Sequence, residues 1–300
     1  MGWGVCNSNT GDADTMKIAV TGASGFIGRH LLPLLIKNGH EVIAVVRDIG
    51  KFNDLDYKCH VVECEINGTN KDAFGKLGEP DLLLHLAWSE LSNYKSLHHI
   101  DNELPAHYQF IKLMVDSGVK HVAVLGTCLE YGMQSGELCE ELDTNPTNPY
   151  GYAKDALRKQ LQFLQDNNPF NLIWMRLFYT YGEDQAASTL YSQLKLAVSR
   201  GDAKFNMSGG EQLRDYLHID EMAKKIAELA CIKRNIGVVN VCSGTPISVR
   251  RLVEQWKKSN NWDIELNFGF YPYPEYEPLA FWGNSDKFNE IIDKQVSEDG

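Results

Sequence analysis

The chain has no block of basic residues. Its 29 lysines and arginines face 40 acids, a net charge of −11, so a nucleic-acid-binding surface has little support. It has no C-x-x-C pair, and its seven cysteines (Cys6, Cys59, Cys64, Cys128, Cys139, Cys231, Cys242) are an odd number. That argues against a disulfide framework or a zinc site, so reduced thiols, a cytoplasmic setting and no bound metal are expected. No apolar run approaches the ~18 residues that span a bilayer, so no membrane partner is expected. No internal repeat or low-complexity linker appears. Met1 to Thr15 lack the basic and apolar regions of a secretory signal. They read as a disordered extension, with Met16 opening the first structured element.

What is present is a β-α-β rhythm. Short apolar runs at Lys17–Thr21, Glu41–Val46, His60–Glu63, Asp81–Leu86, His121–Leu125 and Leu172–Leu177 read as strands. Helical spacing separates them at Gly25–Asn38, Asn102–Ser117 and Pro149–Gln165. Continuously apolar strands alternating with helices predict an α/β fold with a doubly wound parallel sheet. After Gly182 the rhythm changes to helices at Ala187–Ser199, Ile219–Ala230 and Val249–Lys258 with short strands between. Two parts are therefore expected, 16–182 and a smaller α/β part over 183–300, sharing a cleft. The aromatic run Tyr271–Tyr276 reads as a lid or wall.

Between the first strand and helix stands Thr21-Gly22-Ala23-Ser24-Gly25-Phe26-Ile27-Gly28. Glycines at 22, 25 and 28 allow a tight turn, close backbone approach to a pyrophosphate and close helix–strand packing. The helix start supplies N–H groups and partial positive charge. In this strand–turn–helix context the loop, Ser24, Phe26 and Ile27 included, reads as a Rossmann-type dinucleotide site. The second strand ends in Arg47-Asp48. Arg47 suits a 2′-phosphate and so favours NADP; Asp48 keeps NAD open, as the less favoured cofactor.

Tyr150 and Lys154 stand four apart in Asn148-Pro149-Tyr150-Gly151-Tyr152-Ala153-Lys154, at the start of a helical segment. They share a helix face. A lysine ammonium beside a phenol is expected to lower its pKa, making Tyr150 a proton donor or acceptor.

With these pieces together, the chain resembles the extended short-chain dehydrogenases/reductases over nearly all of residues 16 to 300. Glycines 22, 25 and 28, His85-Leu86-Ala87-Trp88, Thr127 four before Tyr131-Gly132, the Tyr150/Lys154 pair and Arg214-Asp215-Tyr216-Leu217-His218-Ile219-Asp220 carry the likeness. The resemblance implies roles residue by residue. Thr127, Tyr150 and Lys154 would be catalytic. Glu65, Ile66, Leu86, Ala87, Trp88, Asn102, Tyr150 and Lys154 would contact the cofactor. Trp88, Thr127, Tyr179 and Arg214 would meet the substrate, Arg214 at its pyrophosphate. Asn102 reads equally well as a helix cap, and His218 as a structural residue. A homodimer through the Asn102 and Tyr150 helices is also implied.

Departures narrow the branch. Thr127-Cys128-Leu129 lacks the two acids that follow the threonine in the family's dehydratases, and Cys128 reads as a packing residue. Tyr179 stands where the 4-epimerases place an asparagine, and no late arginine appears near Glu277-Pro278. The runs Trp88–Leu97, Gly126–Met133 and Tyr271–Trp282 most resemble 4-ketoreductases of deoxysugar biosynthesis. The likeness thus implies NADP-dependent reduction of a dTDP-4-keto-6-deoxyhexose to a talose- or fucose-type product. An NAD-dependent sugar-nucleotide 4-epimerase and a non-catalytic NADP sensor are the alternatives.

Overall fold

The structure, a computed structural model, describes residues 15–52, 58–273 and 277–299. Residues 1–14 of the extension read over Met1–Thr15, Cys6 among them, and the Pro274-Glu275-Tyr276 end of the aromatic run lie outside the described residues.

Among the described residues seven strands make the central sheet: β1 (Lys17–Thr21), β2 (Glu41–Val46), β3 (His60–Glu63), β4 (Leu82–His85), β5 (His121–Thr127), β6 (Asn171–Leu177) and β7 (Gly237–Val241). Their spatial order is 7-6-5-4-1-2-3, and every neighbouring pair is parallel. The winding direction reverses between β1 and β4. That reversal opens the crevice in which such sheets hold ligands.

Seven helices matter here: α1 (Phe26–Lys37), α2 (Leu104–Ser117), α3 (Pro149–Asn167), α4 (Leu190–Ser199), α5 (Ile219–Ala230), α6 (Val249–Ser259) and α7 (Asp286–Asp299). Successive strand residues point to opposite faces. Ile18 and Val20 of β1 therefore pack with Leu31, Leu32 and Leu35 of α1 and with Met222 and Ile226 of α5. Ala19 between them faces Phe110 and Met114 of α2 and Leu157 and Leu161 of α3. Each such apolar side chain contributes roughly 1.5–3 kcal/mol on burial. Burial on both faces explains why the strands read as unbroken apolar runs.

The second part has its own cluster, in which Tyr191 and Leu194 of α4 meet Val253 and Trp256 of α6. A three-stranded sheet of Tyr179–Tyr181, Leu213–His218 and Pro246–Ser248 links it to the first part. Strand β7 and helix α5 come from beyond residue 182, yet they complete one edge and one face of the central sheet. Residue 182 therefore does not divide the sheet from the rest of the chain. The short strands expected between the helices after Gly182 include β7, whose place in the central sheet is set by pairing with β6, distant in sequence. Helix α2 begins at Leu104, not Asn102; a π-helical turn, His99–Glu103, precedes it.

Candidate active site

At the β1/β4 crossover lies a cleft of about 470 Å³. The loop Gly22–Gly28 forms its floor, Arg47 its lip, Glu65 and Ile66 one side, and Leu86, Ala87 and Trp88 the other. Gly22 has φ +69, and a Cβ there would sit 2.8 Å from the Ala87 amide nitrogen. A Cβ on Gly28 would sit 2.5 Å from the Ala23 carbonyl oxygen. Only glycine keeps this turn so close to β4 and α1. Gly25 caps α1 without a side-chain bond, so the helix start presents backbone N–H groups to the cleft. The cradle fits a dinucleotide's pyrophosphate. Arg47 is exposed at the end of β2, and Asp48 turns back to accept a hydrogen bond from Gly50 N at 2.9 Å. Asn102 is exposed and does not line the cleft; the adjacent Glu103 does. The π turn shifts the expected helix start and carries Asn102 outward.

Thr127 ends β5, and Tyr150 and Lys154 lie in the first two turns of α3. Asn148 fixes that helix start by accepting from Gly151 N at 2.9 Å, with Pro149 pre-set for the first turn. Thr127 is positioned through Glu130, whose Oε1 accepts from Thr127 N at 2.8 Å. The Thr127 Oγ1 accepts from Leu129 N at 3.3 Å, which completes a capping box. Glu130 is fully buried and also accepts from Trp174 Nε1 at 2.9 Å and Arg176 Nε at 2.8 Å.

The lysine does not act on the phenol as expected. Burial raises the Tyr150 pKa well above its ordinary value, with Tyr94 and Glu130 adding to the rise and the Thr127 hydroxyl opposing it. Tyr94 stacks on the Tyr150 ring with centroids 5.1 Å apart. Lys154 is 2% exposed. Its Nζ donates to the Leu125 carbonyl at 2.9 Å and lies 4.0 Å from the Trp88 ring centroid. Burial pushes the Lys154 pKa down to about 7, with Glu130 and Glu103 partly offsetting it.

Arg214, expected to meet the substrate, does not present its guanidinium to open space. It is 3% exposed; Nη2 donates to Glu277 Oε2 at 3.0 Å, and Nη1 donates to the Leu213 and Leu279 carbonyls. Its guanidinium lies over the Phe281 ring at 4.4 Å. The Tyr179 hydroxyl donates to the other Glu277 oxygen. Both expected substrate contacts are thus held by one carboxylate. Cys128 packs among Tyr131, Phe178, Cys242 and Phe281, and burial raises its pKa. His218 caps α5, its Nδ1 accepting from Asp220 N at 3.4 Å.

Residues 18–242 match the NAD dependent epimerase/dehydratase family. The dTDP-6-deoxy-L-talose 4-dehydrogenase (NAD(+)) of Aggregatibacter actinomycetemcomitans is 32% identical, over 89% of this chain and 99% of that protein. The chain belongs to the NAD dependent epimerase/dehydratase family. The CDP-abequose synthase of Yersinia pseudotuberculosis is 23% identical over 94% of this chain and its own full length. Among solved structures, a UDP-glucuronic acid 4-epimerase from Bacillus cereus, in complex with UDP-glucuronic acid and NAD, superposes with a TM-score of 0.76. It is 22% identical, and 93% of each chain is covered.

As a member of that family the protein is an NAD(P)-dependent sugar-nucleotide oxidoreductase. Three of its site features escaped the sequence reading. Glu103 and His107 line the cleft beside Trp88, and Glu277 sits on Arg214. Glu103 and His107 stand four apart on one helical face, the same signal that picked out Tyr150 and Lys154. No local signal could have joined Glu277 to Arg214, which is 63 residues away. Among the described residues no helix is long and apolar enough to cross a membrane, and no acid, histidine or cysteine cluster suits a metal. The six described cysteines are free.

Proposed function

We propose that this family member reduces the C4 keto group of a dTDP-4-keto-6-deoxyhexose. The observation that carries the proposal is the likeness to the talose 4-dehydrogenase across almost the whole of both chains. The missing acids at Cys128 and Leu129 support it, since elimination of water needs them.

Gly22–Gly28 would hold a nicotinamide dinucleotide, which when bound would supply the hydride. The Tyr150 hydroxyl gives its proton to the oxygen at C4. Its raised pKa suits that task, because the phenol keeps its proton at neutral pH until an alkoxide forms beside it. The Thr127 hydroxyl, its oxygen already accepting from Leu129 N, keeps its hydrogen for the same substrate oxygen. Lys154 would hold the nicotinamide ribose. Arg47 favours NADP, although the talose relative's own name specifies NAD(+).

The test is NADPH and NADH consumption over a panel of 4-keto-6-deoxy sugar nucleotides, with the C4 configuration of the product read by NMR. Tyr150→Phe should lower turnover about 10²–10⁴-fold with cofactor binding intact; near-normal turnover would sink the mechanism. Likeness to UDP-glucose 4-epimerases, such as that of Lactobacillus helveticus, supports a second reading. Interconversion of C4 epimers with no net cofactor consumption would establish it.

A further inference from the structure

Lys154 is a buried ammonium with no ion-pair partner among the described residues. The ring face of Trp88 is its nearest counter-group besides the Leu125 carbonyl. That indole is held firmly. It stacks on His107 with centroids 4.5 Å apart and planes at 19°. Its Nε1 donates to His99 Nδ1 at 3.1 Å, and His99 Nε2 donates to the Asn93 carbonyl at 3.0 Å.

His107 is fixed in turn. The Glu103 carboxylate can only accept, so His107 Nε2 donates to it at 3.0 Å. With Nε2 the donor, Nδ1 of a neutral His107 accepts from His85 Nε2 at 2.6 Å. His85 Nδ1 then accepts from the Thr21 hydroxyl at 2.9 Å. Burial holds both histidines below their ordinary pKa, which keeps them neutral. Glu103 is anchored by Ser89, whose N and Oγ donate at 2.8 and 2.7 Å. Burial alone would raise the Glu103 carboxyl, but the bonds from His107 and Ser89 outweigh it and hold the group well below its usual range.

We propose that Trp88 is the positioning residue for Lys154: its indole face, clamped by His107 and His99, seats the buried ammonium. This rests on Lys154 belonging to the catalytic pair proposed above. Indole is the strongest aromatic acceptor of a cation. Unlike a carboxylate, a ring face has no fixed bonding direction. The ammonium has three N–H groups. One goes to Leu125, the ring attracts the charge as a whole, and a donor stays free to turn to a ribose hydroxyl or to Tyr150. The charged groups around Lys154 are Glu103 before α2 and Glu130 after β5, both favouring its charge; neutral His85 and His107 lie on β4 and α2, and Tyr150 on its own helix.

The test reads Lys154 directly. The full chain is labelled with 13C at lysine Cε, and the Lys154 resonance is assigned by its loss in Lys154→Arg. In Trp88→Leu the Lys154 pKa should fall by at least about one unit, a tenfold loss of proton affinity, with Trp88→Phe between it and wild type. An unmoved pKa in Trp88→Leu overturns the proposal. So does an equal fall in Trp88→Phe, which would make the ring a spacer only. Trp88→Met carries the same test if Trp88→Leu fails to fold. A wild-type protein that consumes no cofactor on any 4-keto sugar nucleotide would overturn the function proposed above and leave this measurement standing.

Discussion

Two buried cations, Arg214 and Lys154, are stabilised in opposite ways. Arg214, the residue expected to meet the substrate, is 3% exposed and carries a carboxylate partner, two carbonyls and the ring of Phe281. Lys154, on the cofactor side, is 2% exposed and has one carbonyl and one indole face. A guanidinium directs several N–H groups at fixed angles, so Glu277 and the carbonyls can lock it. An ammonium is a compact charge that can turn. Arg214 is therefore self-paired, whereas the cation of Lys154 has no carboxylate partner among the described residues. A third buried cation, Arg176, shows the purely architectural use of the same chemistry: it pairs with Glu130 beneath Thr127.

The contrast can be broken at several points. The largest expected effect is on Glu130. Glu130→Gln leaves Arg176 buried without its counter-charge and should cost about 3–5 kcal/mol, seen as a lower urea midpoint. Glu130→Gln with Arg176→Met should recover most of that loss. If the single variant is as stable as wild type, the pair is not architectural.

Next is Glu277. If its carboxylate competes with a diphosphate for Arg214 and Tyr179, Glu277→Gln should tighten dTDP binding about tenfold by calorimetry. Unchanged or weaker binding would mean that the carboxylate contributes to the substrate site.

Lys154 gives a pH signature of its own. Its pKa falls from 10.5 to about 7 on folding. Below pH 7 both states carry the proton, and the burial cost is full. Between pH 7 and about 10 the unfolded chain holds a proton that the folded chain has shed, so stability rises with pH. The lysine's share of that slope is at most about 1.4 kcal/mol per pH unit. Urea unfolding at pH 7 and 9 should show the rise in wild type and lose it in Lys154→Met; equal slopes would deny the desolvated ammonium.

The smallest expected effect is at the cleft's exposed lip. Arg47→Ala should weaken NADPH binding roughly fivefold and leave NADH unchanged, as for a surface charge pair worth about 1 kcal/mol. Equal loss for both cofactors would remove the argument for NADP.

Local sequence carries the parts of the site that depend on near neighbours. The glycines at 22 and 28 had to be glycines because their backbone approaches Ala87 and Ala23 too closely for a Cβ. Tyr150 and Lys154 could be paired by helical spacing alone. The helix start at Asn102 was misplaced because a π turn adds a residue that no simple periodicity anticipates. Asn102 consequently faces outward, and Glu103 takes the inner position.

By itself, then, the sequence determined the parallel sheet, the phosphate cradle and the shared helix face of Tyr150 and Lys154, because periodicity and turn chemistry are local; Thr127 joined them through the family resemblance alone. Tertiary structure alone decided the electrostatics. Burial, a property of the packed chain and not of any segment, raises the Tyr150 pKa and lowers that of Lys154. Packing also brings Trp88 beneath the ammonium and Glu277 onto Arg214, and those contacts set which charges the site can offer.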